Sequence, residues 1–183
     1  TTSAGNVTVK SAKDKAVSVI DASNNSFTIE NIYPVPDPLP TGWRFNSSVA
    51  TATVASAENL DLTEDYGSDI KTVNATIISS GVKIIGNNKG NSIRGGSGND
   101  TITGGTGADI IYGGNGNDTV TLSGGNDTYV YSGGNDVIQD YATVDTIKFE
   151  TAINSASVNG SNLVITTSAG NVTVKSAKDK AVS

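Results

Sequence analysis

The chain contains no cysteine and no histidine, and both absences remove whole classes of chemistry. Without cysteine there is no disulfide framework and no thiolate metal site. Without histidine there is no imidazole base and none of the usual zinc, copper or haem ligands. Aromatic residues are only 5% of the sequence and charged residues 16%, while Asn, Thr, Ser, Gly and Val dominate. That composition predicts short strands and turns, not helices. No run of 18 apolar residues occurs, so no helical membrane span and no membrane insertion is expected, and no signal peptide is visible. The net charge of −6 argues against nucleic acid as a partner and favours cations.

What is present is repetition on two scales. The stretch TTSAGNVTVKSAKDKAVS at residues 1–18 returns unchanged at 166–183. Identity over that length predicts a tandem array whose unit is 165 residues long, with neighbouring units as partners. The shorter repeat carries the chemistry. Read in nines, the chain gives GNNKGNSIR from Gly86, GGSGNDTIT from Gly95, GGTGADIIY from Gly104 and GGNGNDTVT from Gly113. It continues with LSGGNDTYV from Leu122, YSGGNDVIQ from Tyr131 and DYATVDTIK from Asp140. The sixth position runs Asn91, Asp100, Asp109, Asp118, Asp127, Asp136, Asp145, and the eighth Ile93, Ile102, Ile111, Val120, Tyr129, Ile138, Ile147.

In each nonapeptide the last three residues suit a short strand whose eighth side chain points inward. The glycine-rich first six suit a tight turn. Two nonapeptides then make one coil of a parallel β-solenoid, with coils about 4.8 Å apart. Asp100, Asp118 and Asp136 would stack along one edge, and Asp109, Asp127 and Asp145 along the other. Like charges at about 5 Å repel by about 3 kcal/mol at an effective dielectric near 20. Between Gly95 and Ile147 there are seven acidic residues and no Lys or Arg, so folding calls for a cation. Carboxylates with turn carbonyls form a flexible all-oxygen shell, which suits calcium better than magnesium.

GGSGND, GGTGAD and GGNGND resemble the GGxGxDxUx nonapeptide of the RTX (hemolysin-type) family. The resemblance implies an all-β chain built on a right-handed parallel β-roll with calcium in its turns, flanked by hairpins. It further implies that each ion lies between turns two repeats apart. One site would use Gly96, Gly98, Asp100, Gly113, Asn115 and Asp118. A second would use Gly105, Gly107, Asp109, Leu122, Gly124 and Asp127, and a third Gly114, Gly116, Asp118, Tyr131, Gly133 and Asp136. Lys89 and Asn91 weaken the pair below Asp109, and the glycine-free DYATVD weakens the pair joining Asp127 to Asp145. The expectation is therefore three complete calcium sites and up to two marginal ones.

Around the roll, expected at 86–148, residues 49–85 read as a metal-free solenoid cap, with Ile84 in register with Ile93. Glu64, Asp65 and Asp69 read as a solvated acidic loop. Residues 149–183 read as a β-hairpin, with turns at NGSN and TSAGN, running into the next unit. Residues 1–30 supply strands around NVTVK, AVSVI and SFTIE that complete the junction with a preceding unit, and Lys-rich KSAKDK reads as a turn. Residues 31–48, with all four prolines and Trp43, read as a Pro-rich loop whose Trp43, Tyr33 and Phe45 cap the core. The third turn position (Asn88, Ser97, Thr106, Asn115, Gly124, Gly133) forms no regular array, which argues against an ice-binding face. No HExxH or GxSxG motif occurs, so no enzyme activity is expected. The reading is a non-catalytic, calcium-binding structural unit of a secreted bacterial surface protein. Its alternatives are an adhesin module that binds a host or cell-surface ligand, and a roll accessory to a secreted enzyme or toxin.

Overall fold

A computed structural model describes residues 17–20, 26–29, 43–46, 51–54, 59–63 and 70–177, with side chains for 51–53, 59–63 and 70–177. The chain divides into two compact units, Thr1–Pro38 and Leu39–Ser183. In the first, strands β1 (Val17–Ile20) and β2 (Ser26–Ile29) pair antiparallel. The expected strand at NVTVK, the KSAKDK turn, the prolines and the Glu64, Asp65, Asp69 group lie outside the described residues.

The second unit is built from short strands because its sequence alternates turn formers with β-branched triplets. Strands β3 (Trp43–Asn46), β4 (Thr51–Val54), β6 (Thr72–Asn74), β8 (Ser92–Arg94), β10 (Ile110–Tyr112), β12 (Thr128–Tyr131) and β14 (Thr146–Phe149) form one sheet. Strands β5 (Leu60–Asp61), β7 (Lys83–Ile85), β9 (Thr101–Gly105), β11 (Thr119–Ser123) and β13 (Gly134–Ile138) belong to another. From β4 and β5 onward, through β14 and β13, neighbours within each sheet pair parallel, and the chain visits the two sheets alternately. This is a parallel β-solenoid, all strand and no helix among the described residues.

Register follows the nine-residue period. Ile93 stands beside Ile111, Ile111 beside Tyr129, Ile84 beside Ile102, and Ile102 beside Val120. Every eighth-position side chain from Ile93 to Ile147 is buried. The seventh and ninth positions face outward or lie half-buried, as a period of two demands, except Val130, which is buried. Upstream the coils are longer: Ala52 pairs with Val73, Leu60 with Ile84 and Val73 with Ile93. Turns there carry insertions that the nonapeptide block does not have.

Two elements differ from the sequence reading. Trp43–Asn46, assigned to the Pro-rich loop, is strand β3 and pairs antiparallel with β4. Alternating large and polar residues (Trp-Arg-Phe-Asn) suit a strand once the prolines end. The C-terminal hairpin is a larger meander of β15 (Ile153–Asn159), β16 (Asn162–Thr167) and β17 (Gly170–Val174). Its turns fall at Gly160–Ser161 and Ser168–Ala169, within NGSN and TSAGN. Strand β17 lies parallel on β13 and so occupies the place of the next coil.

The core is a stack of aliphatic side chains and buried tyrosines between two sheets. Ile111 is fully buried in mid-file. Ile111→Ala is expected to cost about 3 kcal/mol in calcium-saturated urea unfolding; a loss under about 1 kcal/mol would contradict the stacked core.

A candidate metal centre in the turns

Each turn places its sixth residue immediately before a strand, so aspartates of alternate turns align along one edge of the roll. Asp100 and Asp118 precede β9 and β11 and Asp136 lies within β13, while Asp109, Asp127 and Asp145 precede β10, β12 and β14. The six carboxylates are about 1% exposed each. One oxygen of every carboxylate is fixed by the coil below. Asp100 Oδ1 accepts the Val82 amide, Asp109 Oδ1 that of Asn91, and Asp118 Oδ1 that of Asp100, at 2.7–2.9 Å. Asp127 Oδ1 accepts the Asp109 amide, Asp136 Oδ1 that of Asp118, and Asp145 Oδ1 that of Asp127, at 2.8–3.1 Å.

The second oxygens have different surroundings. Among the described residues, Oδ2 of Asp109, Asp118 and Asp127 is buried with no hydrogen-bond donor. Buried polar atoms are nearly always paired, and an unpaired carboxylate oxygen is costly. A cation satisfies such an oxygen. Asp100 Oδ2 instead accepts the Gly96 amide at 2.8 Å, Asp136 Oδ2 the Tyr129 hydroxyl at 2.6 Å, and Asp145 Oδ2 the Ala142 amide at 2.7 Å.

The glycines leave space where these oxygens converge. A Cβ on Gly95 would collide with both Asp100 Oδ2 and the Gly113 carbonyl. One on Gly104 would stand 2.5 Å from Asp109 Oδ2 and 2.8 Å from the Leu122 carbonyl. Asp100 with Gly113, and Asp109 with Leu122, are ligand pairs that the sequence reading placed in its first and second sites. Gly114 adopts φ of +105°, where its carbonyl-facing side abuts Gly96, so only glycine serves there. The remaining predicted ligands Gly98, Gly107, Gly116, Asn115, Gly124 and Gly133 lie in the same turns, and Gly105 ends strand β9. The Gly96 and Gly105 carbonyls also accept the amides of Asn115 and Gly124. Among the described residues no three acidic side chains converge on one point. Each space joins at most two carboxylates, and main-chain oxygens must supply the rest.

The third space is different. A Cβ on Gly113 would collide with Asp118 Oδ2 and stand 2.7 Å from the Tyr129 hydroxyl, where the first two spaces bring up a main-chain carbonyl. At the lower end, Asn91 Oδ1 accepts the Asn87 amide and its Nδ2 donates to the Ile70 carbonyl, so an amide is hydrogen-bonded where the other turns hold a carboxylate. Sequence reasoning missed Asp140. Its carboxylate accepts the amides of Leu122 and Ser123, both at 2.8 Å, and holds Ser123 at φ of +72°. The signal available was its place outside the sixth position, as the one extra acid of the block.

The family model described as RTX calcium-binding nonapeptide repeat matches residues 85–120 and 107–138, in four copies. The chain carries an RTX calcium-binding roll. The match spans under a third of the 183 residues, and the strands around it lie outside it. Comparison with curated proteins gives no match. The RTX repeats account for the buried aspartates, because calcium is the ligand that such turns bind.

Burial pushes the Asp109 carboxyl up to about 6, helped by the charge of Asp127. It pushes Asp118 up to about 7, with Asp136 and Asp100 adding to the effect. Burial takes Asp136 up to about 6 and raises Asp100 and Asp127 as well. Folded without metal, these acids hold protons more tightly than in the unfolded chain, where they titrate near 3.8. Metal-free stability is therefore greatest at low pH and falls as pH rises through about 6 to 7. Thermal melts in a calcium chelator should show Tm dropping between about pH 4.5 and about pH 7.5; a rising Tm would contradict the buried, unpaired carboxylates.

Proposed function

We propose that the chain is a calcium-folded structural unit of a larger secreted bacterial surface protein, acting as an adhesive or extending scaffold. The observation that carries the reading is the set of buried, donor-free oxygens on Asp109, Asp118 and Asp127, in a block matched by RTX repeats. Calcium would bridge the Asp100–Asp118 pair through Gly96, Gly98, Gly113 and Asn115. It would bridge the Asp109–Asp127 pair through Gly105, Gly107, Leu122 and Gly124. The Asp127–Asp145 pair is a weaker candidate, since one Asp145 oxygen is held by the Ala142 amide.

Magnitudes favour folding on calcium over mere decoration. Extracellular calcium modules bind with constants on the order of 10⁻⁴–10⁻³ M. At about ten times its dissociation constant each site adds about 1.4 kcal/mol to the folded state. Two or three sites thus add about 3 to 4 kcal/mol, about the repulsion of one carboxylate pair, so the equilibrium turns on calcium. A chain exported unfolded from a low-calcium cytoplasm would fold outside the cell. The repeat of residues 1–18 at 166–183 supports tandem units as partners, because strand β17 places part of that segment against the roll. A repeating unit adds reach without new chemistry.

Adding EDTA is expected to abolish the β-type circular dichroism of the roll, and millimolar calcium to restore it where magnesium does not. A spectrum unchanged in EDTA would remove calcium from the folding of this unit.

A further inference from the structure

The eighth position of each nonapeptide points into the core, and five of its seven occupants are isoleucine. Tyr129 is the only occupant with a polar atom. It lies in β12, fully buried, and its ring fills the place an isoleucine takes in the coils below. The ring is longer than isoleucine, so its hydroxyl extends beyond the core to the edge where the turns stack. There it donates to Asp136 Oδ2 at 2.6 Å and stands 2.7 Å from the point beside Gly113 that Asp118 Oδ2 also faces. The hydroxyl therefore lies between the two carboxylates that a third ion would join.

Two further contacts bear on the same space. The Gly114 carbonyl, a ligand of the third site in the sequence reading, accepts the Ser132 hydroxyl at 2.9 Å. The Tyr131 carbonyl accepts the Glu150 amide at 2.9 Å, as part of the pairing between β12 and β14. The spaces beside Gly95 and Gly104 each present a main-chain carbonyl, from Gly113 and Leu122; this one presents a phenol.

We infer that the Tyr129 hydroxyl takes the Asp136 side of the Asp118–Asp136 turn pair, keeps a cation out of it, and ends the calcium ladder on this edge. The inference rests on calcium occupying the neighbouring pairs. A neutral donor fixed from within the core satisfies Asp136 Oδ2, so that only Asp118 Oδ2 is left without a donor in this space. The last coil, against which β17 packs, is then held by a hydrogen bond that does not depend on calcium. Isoleucine has no atom that can do this, and phenylalanine has the ring without the donor.

The experiment is native mass spectrometry of the full chain in saturating calcium acetate, comparing the wild type with Tyr129→Phe and Tyr129→Ile. The second variant restores the side chain most common at this position and guards against poor folding of the first. Each folded variant is expected to carry one more calcium ion than the wild type. Equal counts would overturn the inference, and one ion fewer would overturn it by making Tyr129 a ligand. Ions on the wild type without a gain overturn this inference alone; no ion on any of the three overturns the calcium reading as well.

Discussion

Carboxylates stacked at the strand spacing of a β-sheet repel one another, and the rest of this molecule is arranged around that repulsion. Six aspartates are buried along two edges, and burial weakens the acidity of Asp100, Asp109, Asp118, Asp127 and Asp136. One oxygen of each is tied to a main-chain amide of the coil below, which locks successive coils in register. The other oxygen is where a coil needs a positive partner. The hydrophobic stack between the sheets is thin, one to three buried apolar residues on each strand of the roll, so it has little surplus to overcome unpaired charge.

The roll meets the constraint differently along its length. In the middle, glycines open space beside the carboxylates and carbonyls, and calcium is the partner that RTX repeats use. At the lower end Asn91 substitutes an uncharged amide that pairs with the Ile70 carbonyl. At the upper end the donors come from the chain: Tyr129 to Asp136 and the Ala142 amide to Asp145. Asp140 takes a separate role, bracing the Leu122–Ser123 turn where a non-glycine residue adopts a left-handed conformation. Beyond the ladder, strand β17 covers β13 and gives the sheet its continuation.

Much of this was legible in the sequence because the nine-residue period is unbroken from Gly86 to Lys148. Period alone assigns Ile93 to Ile147 to the core and sorts the aspartates onto two edges. It also pairs Asp100 with Gly113 and Asp109 with Leu122 through the family resemblance. What it could not convey is reach. Whether a tyrosine at an inward position keeps its hydroxyl in the core or extends it to a turn depends on ring length and rotamer in three dimensions. The longer coils before Gly86 have no fixed period, and the strand at Trp43 was hidden by the prolines before it. The match of β17 to β13 is a long-range pairing, with Gly170 and Asn171 standing beside Gly134 and Asn135, in a segment outside the nine-residue register.

The central claim is that a cation between the stacked aspartates holds the coils together. Hydrogen exchange at the main-chain amides of Asn91, Asp100, Asp109 and Asp118, each bonded to a carboxylate of the next coil, tests it most directly. The account predicts strong protection in calcium and rapid exchange of all four once calcium is chelated at neutral pH. Equal protection with and without calcium would contradict it.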